Sequence, residues 1–504
     1  MQIHECYCIY IIVEVKMLHA EKILSVLKAR ALLITIGLIC EMVYLLCFVR
    51  QFPLFRYYQS LTDLGAITNH SHIGFVLFVL AFTLLFVFLG FAWWEVYHRQ
   101  NQDKATLWLI LGFGALFAGT MVFVYPVTAI DIFGYVIQSL ILVQYHSNPM
   151  VTPAAHFPHD SMKYLAGGWA DIATPYGPLG ILIDALPTLL VGRNLLANLL
   201  LLKSMFSALL IFEAFLVYKI ISSYAPKFAL VGALFIAWNP LAFFEYSANG
   251  HNDVVVMLFV LLAIFALVKE RLVLAFALII ASVLIKYATL PLVPLFFLYG
   301  ITHQTTNMRR LQYIGKIALA SVVLIALIFG PFWAGSHTLD ASLDQEHYFI
   351  ASFSTLINDI SSKQVTLENA KLVGRILFGI VYLYALYLST KSIPGLIRAA
   401  FITLFFFLAF ATGKFVPWYA IWPTMLAILL ARIEETLAIG LFAYGTALST
   451  VVYQFLFVWF GLTIPSLDAS NTLAYLICFL PAIVLLYCLF MKRIFTGSQS
   501  LKVV

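Results

Sequence analysis

Long apolar runs alternate with short polar stretches from residue 31 to residue 492. Many of the runs reach the roughly 20 residues that an α-helix needs to cross a bilayer. They lack the short alternating segments of a membrane β-barrel. The pattern predicts an all-α polytopic membrane protein with about fourteen transmembrane helices (range 11–14). The expected spans cover 31–49, 73–95, 106–126, 195–219, 228–246, 253–268, 272–285, 288–300, 312–334, 371–390, 397–413, 416–431, 437–461 and 473–492. The run 178–192 is short and carries Asp184 and Pro187, so it is expected to lie at the interface rather than to cross.

Composition excludes a soluble domain. Hydrophobic residues make up 63% of the chain and charged residues only 10%, against about 25% charged in soluble proteins. The net charge of +6 therefore reports topology, not nucleic-acid binding. With 178–192 outside the bilayer, Arg99, Lys104, Lys219, Lys227, Lys269, Arg271, Arg309, Arg310, Lys316, Lys391 and Arg398 share one side with both termini. That side is expected to be cytoplasmic. The organisation that follows is a cytoplasmic tail at 1–30, one transmembrane domain at 31–492 and a cytoplasmic tail at 493–504. Residues 1–16 stand apart from the first span, and Met17 is an alternative start. The six cysteines (Cys6, Cys8, Cys40, Cys47, Cys478 and Cys488) avoid the long polar loops, which argues against a disulfide framework or a cysteine metal site.

The outer side collects the unusual segments: the loop 127–193, the loop 335–370, the turn GKFVPWY (413–419) and the stretch FFEYSANGHNDVVVMLF (243–259). In the last of these, seven of the nine positions 245–253 are polar. Gly250 permits a tight turn there, and Asn252 or Asp253 is placed to cap the following helix. Capping leaves most of the cluster unexplained. Asn249, His251, Asn252 and Asp253 suit sugar hydroxyls, which both donate and accept.

In the loop 127–193, residues 130–145 read as an amphipathic helix lying in the interface plane. Asp131, Tyr135 and Gln138 fall on one face at i, i+4 and i+7. A carboxylate at that depth can take a proton from an acceptor hydroxyl, or it can serve as a helix N-cap. GGWADIATPYGPLG (167–180) reads as a fixed loop in which Trp169 and Tyr176 can stack on a sugar or anchor at the interface. HFPHD (156–160) offers His156, His159 and Asp160 at metal-like spacing, but a surface loop without metal is the stronger expectation. Lys286, in VLIKYATLPLVPLF, breaks an apolar run and needs either a phosphate or a carboxylate partner. Lys414 stands at the outer end of a span; Lys203 and Arg375 are further cation candidates.

Taken together, AIDIFGYVIQ (129–138), YHSNPM (145–150), TPYGPLG (174–180), WNPLAFFEYSANGHND (238–253), KYATLPLVPL (286–295) and FVPWYAIWP (415–423) resemble the C-type glycosyltransferases (GT-C). The resemblance is strongest to bacterial polyprenol-phosphate-mannose-dependent α-mannosyltransferases and runs over about residues 110–430. It implies a GT-C-like fold and an inverting transfer of a sugar, mannose in the family's pattern, from a polyprenyl-phosphate donor. The acceptor would be a glycan or a lipid-linked acceptor on the outer face of the cell membrane. It places the family's catalytic base on Asp131, and the chemistry it implies asks for donor-phosphate cations, for which Lys286 and Lys414 are the candidates. Tyr135, Trp169, Tyr176, Asn249, His251, Asn252, Asp253 and Trp418 become the sugar- or acceptor-binding set. No metal and no cofactor beyond the lipid-linked co-substrate are implied. The family's loop usually follows the first span, whereas two spans precede the one leading to it here, which reads as an N-terminal extension. Two other classes share parts of the pattern: a transporter or flippase for a lipid-linked or anionic solute, and a lipid-linked polysaccharide polymerase or ligase.

Overall fold

The computed structural model describes residues 30–99, 103–460 and 467–496. The tails 1–29 and 497–504, with the Met17 reading, Cys6 and Cys8, lie outside the described residues. In chain order the principal helices are α1 (Ala31–Val49), α2 (His72–His98), α3 (Lys104–Met121), α4 (Asp131–Val143), α5 (Pro178–Val191), α6 (Leu195–Ser222), α7 (Pro226–Ala248) and α8 (Asp253–Val268). They continue with α9 (Leu272–Val283), α10 (Leu292–Thr302), α11 (Asn307–Ile328), α12 (Leu367–Ser389) and α13 (Ile393–Ala411). The last three are α14 (Ile421–Ile428), α15 (Ile433–Trp459) and α16 (Leu467–Thr496).

Among the described residues ten helices, rather than fourteen, are long and apolar enough to cross a membrane. All fourteen expected segments are helical, but four of them (α8, α9, α10 and α14) are short, with 16, 12, 11 and 8 residues. At about 1.5 Å per residue none of these alone covers a hydrocarbon core of about 30 Å. The cause is local. The polar turn at 249–252 delays the start of α8, Lys286 adopts an extended backbone just past α9, and Pro291 stands at the N-cap of α10. Pro417 opens a 3-10 turn ahead of α14. The segment 178–192 forms two short helical pieces and is not among the ten.

Helix α7 is the inner column of the bundle: the whole of its apolar window is buried, whereas α11 and α12 leave most of theirs exposed. Both faces of α7 therefore pack on protein, and its first part, 228–238, reads as continuously apolar. Helices α8 and α9 pair as a hairpin, with α8 leaving the 249–252 turn and α9 returning to Lys286. At the opposite end, Arg30 pairs with Asp103 at 2.7 Å, tying the start of α1 to the connection between α2 and α3.

The interfacial helix expected over 130–145 is α4, yet it is not a helix resting on lipid. Phe133, Val136 and Leu140 are buried against the bundle, while Asp131, Gly134 and Gln138 face a cavity. Two glycines fix this region. Gly250 has φ +75°, and a Cβ there would lie 2.4 Å from Ile132 Cδ1 of α4. Gly177 lies against the break after α9: its N–H donates to Ile285 O at 2.9 Å and Leu179 N–H donates to Leu284 O at 3.0 Å. A Cβ on Gly177 would stand 2.2 Å from Leu284 O.

That clash is with backbone, which cannot swing aside. Gly177→Ala is expected to cost about 1–3 kcal/mol, as overpacking does, and to lower the midpoint of thermal unfolding in detergent. Gly168→Ala is the control, because nothing lies within 4 Å of a Cβ at that position.

Candidate functional site

Five connections meet at one end of the bundle: 122–194, 249–252, 284–291, 329–366 and 412–420. Four of them line a cavity of ≈ 210 Å³. Its charged lining is Asp131 from α4, Lys286 from the break after α9 and Lys414 from the turn after α13. Trp169, Tyr176 and Trp418 line it as well. Along one wall the face of α4 presents Gly134, Ile137, Gln138 and Ile141, so the cavity is polar at the Asp131 end and more apolar beyond.

Asp131 is the first residue of α4, and its side chain makes no cap bond; the N-cap is Ile130. The capping role open to Asp131 on spacing alone is therefore not the one it plays. Instead Oδ1 accepts a hydrogen bond from the Tyr176 hydroxyl at 3.1 Å. Tyr135, one turn on, is buried and lies just behind: its hydroxyl is 3.5 Å from that of Tyr176 and 3.3 Å from Asn252 Oδ1. Asn252 Nδ2 donates to Asp184 Oδ2 at 2.7 Å.

Lys286 has a carboxylate partner. Its ammonium donates to both oxygens of Asp253 at 2.9 Å, and Trp422 Nε1 donates to Oδ1 of the same carboxylate at 2.9 Å. The ammonium also sits over the rings of Tyr419 at 4.7 Å and Tyr176 at 5.5 Å. Lys414 is held differently, over Trp169 at 5.3 Å and Tyr348 at 5.7 Å. Burial, opposed by the nearby Asp131 charge and reinforced by Lys286, holds its ammonium below the ordinary lysine range. The backbone around Lys414 pairs with the second outer loop, Ile350 N–H donating to Gly413 O at 3.0 Å and Phe415 N–H to Ile350 O at 2.9 Å.

The polar stretch at 249–253 takes a different place from the one its composition suggests. Asn249, His251, Asn252 and Asp253 are all buried and none lines the cavity. They form the layer beneath it. His251 stacks on Trp418 with ring centroids 3.7 Å apart and reaches the cavity only through that ring. Asn249 Nδ2 donates to Thr128 Oγ1 at 2.7 Å and to Glu245 Oε2 at 2.9 Å. Neither Asn252 nor Asp253 caps α8 with its side chain, because both side chains are committed to Asp184, Lys286 and Trp422. Charge count and polarity predict that such a cluster exists, but not which way it points.

Other candidates lie elsewhere. Lys203 is buried in α6 and donates to Val124 O. Arg375 pairs with Glu346 at 2.9 Å. Asp160 is taken by Arg193 at 2.6 Å and by the Tyr145 hydroxyl at 2.8 Å. Among the described residues no group of three or more His, Cys, Asp or Glu side chains is placed to hold a metal. Tyr419, Tyr348 and Trp422 escaped the sequence reading; the aromatic density of FVPWYAIWP was the available signal for two of them.

A polytopic helical membrane protein with an acid, two lysines and several aromatic rings gathered at one end of its bundle is the class that these observations define. Residues 36–301, more than half of the chain, match the family described as alpha-(1->6)-mannopyranosyltransferase, N-terminal domain, and the chain belongs to that family. The match opens inside α1, so α1 and α2 are part of the family domain and not an extension ahead of it. Alpha-(1->6)-mannopyranosyltransferase A of Corynebacterium glutamicum is 24% identical over 204 residues, covering 40% of this chain and 41% of that relative.

Breaking the Lys286–Asp253 pair strands a buried charge, which typically costs about 3–5 kcal/mol. Lys286→Met is expected to destabilise by that order, while Lys286→Met combined with Asp253→Leu recovers part of the loss. Thermal unfolding of the three variants beside wild type, read as a double-mutant cycle, measures the difference.

Proposed function

We propose that this protein transfers mannose from a polyprenyl-phosphate donor to a glycan or lipid-linked acceptor at the non-cytoplasmic face of the cell membrane, with inversion at the anomeric carbon. The observation that carries this reading is the cavity in which Asp131 faces the same space as Lys286 and Lys414. Family membership supports mannose as the sugar. The C. glutamicum relative, named as a mannopyranosyltransferase, agrees over the two fifths of its length that align.

In the proposed step the acceptor oxygen attacks the anomeric carbon and its proton passes to the Asp131 carboxylate. The bond from that carbon to the phosphate oxygen breaks, and the electron pair leaves with the phosphate. Phosphate departs as an anion, so no general acid is required. What the site must supply is positive charge in a low-dielectric setting, where it acts most strongly. Lys414 is the stronger phosphate contact in this proposal, because Asp253 already balances the charge of Lys286. Trp169 and Trp418 present apolar faces on which a sugar ring can rest. Asn249, His251, Asn252 and Asp253 serve by holding that wall from behind, in place of direct contact with the sugar. The same reading puts the lysine- and arginine-rich connections on the cytoplasmic side. A transporter would place such groups near mid-bundle, whereas here they gather among the connections at one end.

Three outcomes are expected. Membranes carrying the protein, supplied with radiolabelled polyprenyl-phosphate mannose and an acceptor glycan, form labelled product; Asp131→Asn reduces the rate about 10²–10⁴-fold, the range for loss of a general base. Full transfer by the Asn variant removes Asp131 from that role. The alkaline limb of kcat/KM against pH reports loss of the Lys414 ammonium. Because burial lowers its proton affinity, that limb falls at a lower pH than an ordinary lysine gives, and Lys414→Arg moves it upward. For topology, a cysteine placed at the exposed His337 reacts with an impermeant maleimide in intact cells; labelling only after lysis reverses the orientation.

A further inference from the structure

The hydroxyl of Tyr176 can give its one proton to only one partner, and the surrounding bonds decide which. We infer that Tyr176 is the positioning residue for Asp131, donating to its carboxylate so that the other oxygen is aimed into the cavity. This rests on Asp131 acting as the base.

The direction of the hydrogen bonds carries the inference. Asn252 Nδ2 donates to Asp184 Oδ2 at 2.7 Å, which turns Asn252 Oδ1 toward Tyr135. A carbonyl oxygen cannot donate, so Tyr135 supplies the proton for the 3.3 Å contact with Asn252. The Tyr135 hydroxyl proton is then spent, and its 3.5 Å approach to Tyr176 is the longer of its two contacts. Tyr176 in turn has Asp131 Oδ1 at 3.1 Å, an acceptor that bears charge and so holds the stronger bond. The buried end of the chain thus leaves the Tyr176 proton for Asp131.

The chain is not a proton wire. Moving a proton inward from Asp131 would require Asn252 to accept at Oδ1 and release from Nδ2, which an amide resists, so the path stops there. The proton taken from the acceptor stays on Asp131 until it leaves through the cavity.

The ring of Tyr176 is fixed by contacts of its own. It meets Tyr135 edge to face, with centroids 5.3 Å apart at 78°, and the Lys286 ammonium lies 5.5 Å from its centroid. Gly177, the next residue, is pinned to Ile285 O. The residue is thereby set from both sides: its ring by the lysine that Asp253 anchors, and its hydroxyl by the acid across the cavity. A tyrosine kept only to stack on a sugar would need the ring alone.

Tyr176→Phe separates the two roles, because it keeps the ring and removes the hydroxyl. In the labelled-mannose assay kcat is expected to fall about tenfold or more, the loss of one hydrogen bond to a charged group, with KM nearly unchanged. An unchanged kcat, or a raised KM at constant kcat, overturns the inference. A second readout is independent of turnover: the infrared carboxylate band that Asp131→Asn abolishes should shift in Tyr176→Phe, and by less in Tyr135→Phe. If the wild-type protein transfers no mannose but this band shifts, the proposed reaction fails while the contact stands. If the band does not move, the contact fails whatever the activity.

Discussion

A buried carboxylate paired with an ammonium on the cavity wall, at the mouth of a helical hairpin, is the interaction on which the rest of the site depends. Asp253 opens α8 and Lys286 stands just past the end of α9, so their pairing closes the hairpin at its mouth. Trp422 brings α14 into the same contact. Charges in such a place are tolerated only when paired and further hydrogen-bonded. Here one carboxylate answers a lysine from one segment and an indole from another. The stretch 249–253, the α9 break and the FVPWYAIWP segment are thereby held as one floor, and the cavity takes its shape above it.

From that floor the outer loops are built upward by backbone contacts as much as by side chains. Gly177 and Leu179 donate to the carbonyls freed where α9 ends, groups that would otherwise lie unpaired in an apolar setting. The break that exposes Lys286 is thus also the dock for the loop that carries Tyr176. On the far side Ile350 and Lys414 pair through their main chains, joining the second outer loop to the turn after α13. Loops held in this way can present an acid and two cations at fixed separations without an extra domain.

The apolar periodicity made the helical segments legible, because a bilayer-length run has few other readings. It overstated the number that span alone. Prolines and polar turns cut helices short: α8, with 16 residues, misses a span of about 30 Å by a few residues, whereas α9, α10 and α14, with 12, 11 and 8, fall well short of it. Asp131, Lys286 and Lys414 stood out singly as charges in apolar surroundings, and the structure brings them to one cavity. The position of 249–253 was not legible. Side-chain direction at a turn depends on what packs above it, and the partners of these residues lie far away in sequence: Asn252 bonds Asp184, and Asp253 bonds Lys286 and Trp422. The cap expected from Asn252 or Asp253 lost to those tertiary partners, which offer charge where a helix end offers only amides.

Gly134 sits one turn along α4 from Asp131, and the space where its side chain would be is empty to 4 Å. It lines the cavity, and an added Cβ there would meet nothing beyond its chain neighbours and its own helix. The chamber beside the Asp131 carboxylate therefore owes part of its width to a missing methyl group, at a position where an added Cβ would meet no charged group within 4 Å. Glycine is the smallest residue, so every substitution here narrows the space beside Asp131 and none can widen it.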